Sequence, residues 1–168
     1  MGSRRIRGFT LLELVISLMV MGTLSAVLLS RLAYYQETAE RIAMETTVRL
    51  IKTGLQIRLA ELIIANRQSE AGVLEVEDPV QWLERRPANY GGVFHDYANP
   101  GTWYFDEQAR QLVYVANAAS RLEIDGRSGA RVLRFRAKLL KNRVLAAGGP
   151  VESVGGVTLA AVQPYRWP

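Results

Sequence analysis

From Phe9 to Ser30 the chain reads FTLLELVISLMVMGTLSAVLLS, 22 residues in which Glu13 is the only charge. A helix lying on the surface of a soluble protein needs a polar face, and this stretch has none. At about 1.5 Å per residue it is long enough to cross the hydrocarbon core of a bilayer. Ahead of it stand Arg4, Arg5 and Arg7, against a single Arg31 just beyond it. That asymmetry puts the N-terminus in the cytoplasm and the rest of the chain in the periplasm or outside the cell.

Three kinds of segment combine arginines with an apolar run: a secretory signal, a plain anchor, and a leader followed by a span. A secretory signal has an apolar core of about 7–15 residues and a small-residue exit site, whereas this run is longer and passes directly into an amphipathic pattern. A plain anchor explains length and arginines but gives no reason for Glu13. A carboxylate near the bilayer interior costs at least about 2.5–3.5 kcal/mol, which marks it as a functional candidate.

After Arg31 the apolar residues become periodic. Leu32, Tyr35, Ala39, Ile42, Thr46 and Leu50 recur at steps of three and four, and the row continues to Ile64; this is one stripe of a helix, expected to face the core. Opposite it lie Glu37, Glu40, Arg41, Glu45, Arg49 and Lys52. Glu37–Arg41 and Glu45–Arg49 have the i,i+4 order of a solvated face. No proline falls between Phe9 and Asn66, so the pattern predicts one nearly continuous helix, with Gly22 and Gly54 as its soft points.

Residues 67–101 hold Pro79, Pro87, Gly91–Gly92 and Pro100–Gly101 and read as a connecting loop with short pieces of structure. Thr102–Asp106 and Gln111–Ala116, aromatic and β-branched about a short polar turn, read as an antiparallel hairpin. Arg121–Asp125 and Arg131–Leu140 are expected to flank a turn at GRSG, with Leu133, Phe135, Ala137 and Leu139 on the core face. The glycine-rich tail reads as loop with one edge strand at Val157–Val162. The fold class is therefore α+β: a long N-terminal helix packed against a small C-terminal antiparallel sheet.

The segment Arg7-Gly8-Phe9-Thr10-Leu11-Leu12-Glu13-Leu14 resembles the processing site of type IV prepilins and type II secretion pseudopilins. It has a short basic leader ending in glycine, then phenylalanine, then glutamate as fifth residue of the mature chain. The resemblance covers Arg4 to about Ser30, and Gly22 falls where the family often has a glycine. It implies cleavage by a prepilin peptidase between Gly8 and Phe9, and methylation of the new Phe9 amine. Glycine leaves the scissile backbone unobstructed. In the family Glu13 then meets the N-terminal amine of a neighbouring subunit, which neutralises a carboxylate that lipid penalises.

The resemblance thus implies four parts: a leader over 1–8, a transmembrane and polymerising half-helix over 9–30, an amphipathic half over 31–66, and a periplasmic or extracellular domain over 67–168. The implied role is a structural subunit of a pilus or short secretion pseudopilus. Its implied partners are the prepilin peptidase, other pilin or pseudopilin subunits, the inner-membrane assembly platform and lipid. The competing reading is a membrane-anchored periplasmic binding or sensor domain that never polymerises.

The remaining chemistry is sparse. There is no cysteine, which excludes disulfides and thiolate metal sites. His95 is the single histidine, with no nucleophile or ligand pattern around it, so neither an enzyme nor a cofactor is expected. Glu75, Glu77 and Asp78 lack the ligand spacing of a calcium loop. Trp103, Tyr104, Phe105 and Tyr114 read as hairpin core. The formal charge of +5 does not signal nucleic acid: without Met1–Gly8 the basic residues fall from 21 to 18 against 16 acids, a net of +2. Residues 61–107 hold nine acids against three arginines, and residues 121–143 eight bases against two acids. That asymmetry serves either head-to-tail contacts between subunits or neutralisation within one.

Overall fold

The computed structural model describes residues 10–95, 97–146 and 149–168, with backbone alone for 143–146 and 149–152. The chain divides into two compact units, the first ending at Gln36 and the second running from Glu37 to Pro168; a single helix, α1 (Leu11–Ile64), contributes residues to both.

In the first unit the described residues are helix from Leu11 onward, with no side chain buried. Leu11 is 81% exposed and Leu28 69%. By length and composition this helix can cross a membrane.

The second unit is built on Glu37–Ile64 of α1. The helix stops at Ile64 because Asn66 takes a left-handed conformation (φ 56°). The Arg67 amide then donates to Leu62 O (2.8 Å) and the Asn66 amide to Ile63 O (3.0 Å), the Schellman arrangement that satisfies the last carbonyls. Two 3₁₀ segments follow, η1 (Gln68–Glu75) and η2 (Pro79–Trp82). Asp78 caps η2 by accepting the Val80 amide at 2.9 Å.

The strands are β1 (Tyr90–Val93), β2 (Thr102–Asp106), β3 (Gln111–Val115), β4 (Glu123–Ile124), β5 (Arg127–Ser128), β6 (Val132–Ala146), β7 (Gly149–Ala161) and β8 (Tyr165–Arg166). They form a five-stranded sheet, β1-β2-β3-β6-β7, and a small one, β5-β4-β8. The β2–β3 hairpin pairs antiparallel as expected, Thr102 opposite Val115 and Asp106 opposite Gln111.

Within this region one of the expected short pieces is a strand, and two expectations need correction. Tyr90–Val93 is a strand, paired parallel with β2, so the sheet is mixed. Gly91 is there because a Cβ would overlap the Tyr104 ring, a close approach that read in sequence as a turn. GRSG does not join two strands of one hairpin. The turn is Asp125–Gly126, both left-handed (φ 51° and 72°), which closes the short β4–β5 pair as a two-residue turn favours, while β6 goes instead to β3 and β7. The tail is not mostly loop: β7 pairs with β6 along its length, with a register shift at Leu140/Lys141. Gly155 sits against the Asn142 side chain with no room for a Cβ, so these glycines permit a bulged ribbon.

The core lies between α1 and the inner face of the large sheet: Met44, Ile51, Leu55, Leu59 and Leu62 from the helix meet Trp103, Tyr114, Leu133, Phe135 and Leu159. The row expected to face this core faces the other way. Ile42, Leu50, Ile57 and Ile64 are 52%, 58%, 57% and 82% exposed. On the opposite sheet face Tyr104, Val113 and Val115 are buried beneath Phe94, Ala98 and Val132.

Candidate assembly and processing site

Thr10 begins the helix. Its Oγ1 accepts the Glu13 amide at 3.2 Å and its carbonyl accepts the Leu14 amide at 3.1 Å, so Thr10-Leu11-Leu12-Glu13 follows the capping-box spacing. Glu13 therefore stands in the first turn, where the helix dipole favours a carboxylate. Along the apolar half, Thr23 and Ser30 donate their hydroxyls back to Met19 O (2.8 Å) and Ala26 O (3.0 Å), which hides two polar groups from an apolar medium. Glu13 has no basic residue near it in sequence after Gly8 until Arg31. Space around Gly22 is open: a Cβ there meets nothing within 4 Å. Gly8 and Phe9, and with them the whole leader, lie outside the described residues.

Other candidate residues take structural roles. Glu75 Oε1 accepts the Leu139 amide (2.7 Å), Glu77 accepts Gln81 Nε2 (2.6 Å), and Asp78 also receives the Tyr90 hydroxyl. They point to separate partners, and among the described residues no group of three His, Cys, Asp or Glu side chains is placed to hold a metal. His95 sets Nδ1 2.6 Å from Val93 O and its ring edge-on to Tyr104. Trp103, Tyr104, Phe105 and Tyr114 are all buried.

The charge asymmetry of the sequence is partly cancelled inside the second unit. Arg134, from the basic strand β6, pairs with Asp106 at 2.9 Å while lying over the Phe94 ring. The Ala109 amide holds Asp106 below the usual carboxylate range, against the opposing effect of burial, and Arg134 adds to the lowering. Arg121 pairs at 3.1 Å with Glu37, an acid outside the acidic stretch, and Glu75 accepts the neutral Leu139 amide of β6.

Sequence reasoning missed one cluster. Glu37, expected on the solvated face, is 2% exposed. Its carboxylate accepts the Ser120 hydroxyl (2.6 Å), the Arg121 amide (2.7 Å), Arg121 Nε (3.1 Å) and Trp167 Nε1 (3.0 Å). Burial pushes its pKa up, but these hydrogen bonds outweigh it and bring it down to about 2. Beside it Glu40 accepts the Tyr114 hydroxyl (2.8 Å) and the Asn117 and Ala118 amides (2.6 and 2.7 Å). Arg41, which was expected to pair with Glu37, donates instead to Trp167 O at 2.8 Å. Glu45–Arg49 does pair, at 3.5 Å between exposed side chains. The missed signal is the density of charge at Glu37-Glu40-Arg41 where the helix meets the domain.

The family model of the prokaryotic N-terminal methylation motif matches residues 3–29. The match indicates a type IV pilin- or pseudopilin-like protein, and the motif is structural, not that of an enzyme family. A search of curated proteins finds no significant match, and a search of solved structures finds none either.

Proposed function

We propose that this chain is a structural subunit of a type IV pilus or a type II secretion-like pseudopilus. A prepilin peptidase cleaves it between Gly8 and Phe9 and methylates the Phe9 amine. The subunit waits in the inner membrane with its N-terminus cytoplasmic, and is assembled by the inner-membrane platform through its N-terminal helix. The observation that carries this reading is the coincidence of the methylation motif at residues 3–29 with a helix whose first half is apolar and wholly unburied. A surface that apolar needs lipid or other helices around it.

In this reading Glu13 pairs with the methylated amine of a neighbour, and the pairing recruits subunits in register. The test separates assembly from processing. Glu13→Leu removes the carboxylate and eases membrane residence, so cleavage survives while the fraction recovered in sheared or pelleted filaments falls. Glu13→Asp, with the charge moved by one methylene, gives an intermediate loss. Equal incorporation of wild type and Glu13→Leu rejects the pairing. A non-polymerising anchored domain yields no filament fraction for any of the three proteins.

A further inference from the structure

In an antiparallel sheet, successive residues of a strand turn their N–H and C=O groups to opposite neighbours. Next to β6 the Arg131 carbonyl accepts the Ala116 amide, just past the end of β3, and the Arg134 carbonyl accepts the Val162 amide, just past the end of β7. Odd-numbered residues of β6 therefore face β3 and even-numbered ones face β7. Pairing with β3 runs no further than Leu112 opposite Phe135, since the chain turns back toward β2 at the left-handed Arg110 (φ 53°). β6 itself runs on to Ala146 with β7 on its other side. From Ala137 onward its β3-facing edge is open.

Among the described residues no backbone hydrogen bond reaches Ala137 from that side. The Leu139 amide donates there to Glu75 Oε1 at 2.7 Å, so a side-chain carboxylate stands where the carbonyl of a further strand would stand. A cleft of about 530 Å³ opens along this edge. Its apolar lining is Val76, Ala137 and Leu139, and its basic lining is Arg110, Arg136 and Lys138. Arg136 and Lys138 are exposed and alternate with the buried Phe135 and Ala137, which sets them on the outer face of the sheet. None of the three cations is in an ion pair among the described residues.

We propose that this edge binds an extended segment of a partner protein as an added strand, with acidic and apolar side chains in alternation. The faces of an added strand follow those of β6. Its acidic side chains stand beside Arg136 and Lys138, and its apolar ones beside Ala137 and Leu139. Main-chain bonds to Ala137 and Leu139 supply affinity, and the two linings supply selectivity. The cations flank a row of unpaired main-chain groups, which suits a peptide strand better than a polyanion without amides. Glu75 is a plug that blunts the edge and gives way as the partner's carbonyl arrives. The binding belongs to the second unit alone and does not depend on assembly.

The probe is a fluorescein-labelled peptide, Glu-Val-Glu-Val-Glu-Val-Glu, titrated with the full-length chain in detergent and read by anisotropy. Wild type binds it. The pair Arg136→Glu and Lys138→Glu, both at exposed positions, weakens binding at least about tenfold, whereas Arg127→Glu, on exposed β5, leaves it unchanged. Glu75→Ala tightens binding several-fold, a gain that lost folding cannot produce because unfolding removes the edge. The same peptide with every glutamate as its D-enantiomer keeps charge and composition but cannot place its two residue types on opposite faces, and binds at least about tenfold more weakly. No binding to wild type and Glu75→Ala overturns the proposal, as does weaker or unchanged binding by Glu75→Ala. Equal loss in Arg127→Glu, equal binding of the D-containing peptide, or equal binding of an oligothymidylate of the same charge also overturns it, since each reduces the effect to charge alone.

Discussion

Glu37→Gln tests how the helix is fastened to its domain. The substitution keeps size and one acceptor oxygen but removes the charge that four donors address, from Ser120, Trp167 and both ends of Arg121. A carboxyl carried from 4.5 to about 2 stabilises the folded state by roughly 3 kcal/mol wherever it is ionised in both states. The amide also turns an N–H₂ toward donors it cannot satisfy. The expected loss at pH 7 is about 2–3 kcal/mol, or roughly 10 °C in Tm for a unit of this size. The pH dependence has a fixed sign. A depressed acid contributes fully above its unfolded value of 4.5, and the contribution disappears as pH falls from there through about 2. Thermal melts of the full chain in detergent, read by near-ultraviolet circular dichroism of its tryptophans, should show the gap between wild type and variant at pH 7. That gap should close progressively below pH 4.5. A gap under 0.5 kcal/mol at pH 7, or one that stays constant down to pH 2, refutes the reasoning.

Gly91→Ala inserts a methyl into the Tyr104 ring and is expected to cost about 1–3 kcal/mol, measured as a lower urea midpoint; an unchanged midpoint contradicts the close β1–β2 approach. Gly8→Val places a branched side chain at the scissile bond, so immunoblots of membranes should show the precursor accumulating, and normal maturation contradicts the cleavage position.

The parts of the fold legible in sequence were those written in a single period or composition. The apolar run from Phe9, the absence of proline to Asn66, and the TWYFD and QLVYV strands each announce themselves locally. What stayed hidden depends on distant partners. Gly91–Gly92 and Gly155–Gly156 carry the same residue type as a loop, and only the Tyr104 ring and the Asn142 side chain turn them into strand positions. The helix after Arg31 has two apolar faces, so periodicity alone could not say which one the sheet would take. Tertiary packing chose the row through Met44 and Ile51 and left Leu50 and Ile57 outside. Glu37 looked solvated because its donors come from Ser120, Arg121 and Trp167, more than eighty positions away in the chain. At the N-terminus the order is reversed: the resemblance that singles out Gly8, Phe9 and Glu13 rests on a linear string of residues, and the helix adds only the capping role of Thr10 toward Glu13.

The central claim is that this chain is a processed, methylated filament subunit, and intact-mass analysis with N-terminal fragmentation of the protein isolated from its native membrane addresses it most directly. The account predicts a chain lacking Met1–Gly8 and beginning at Phe9, one methyl group heavier than the unmodified residue. A chain that keeps Arg4, Arg5 and Arg7, or that begins at an unmethylated residue beyond the apolar segment, contradicts it.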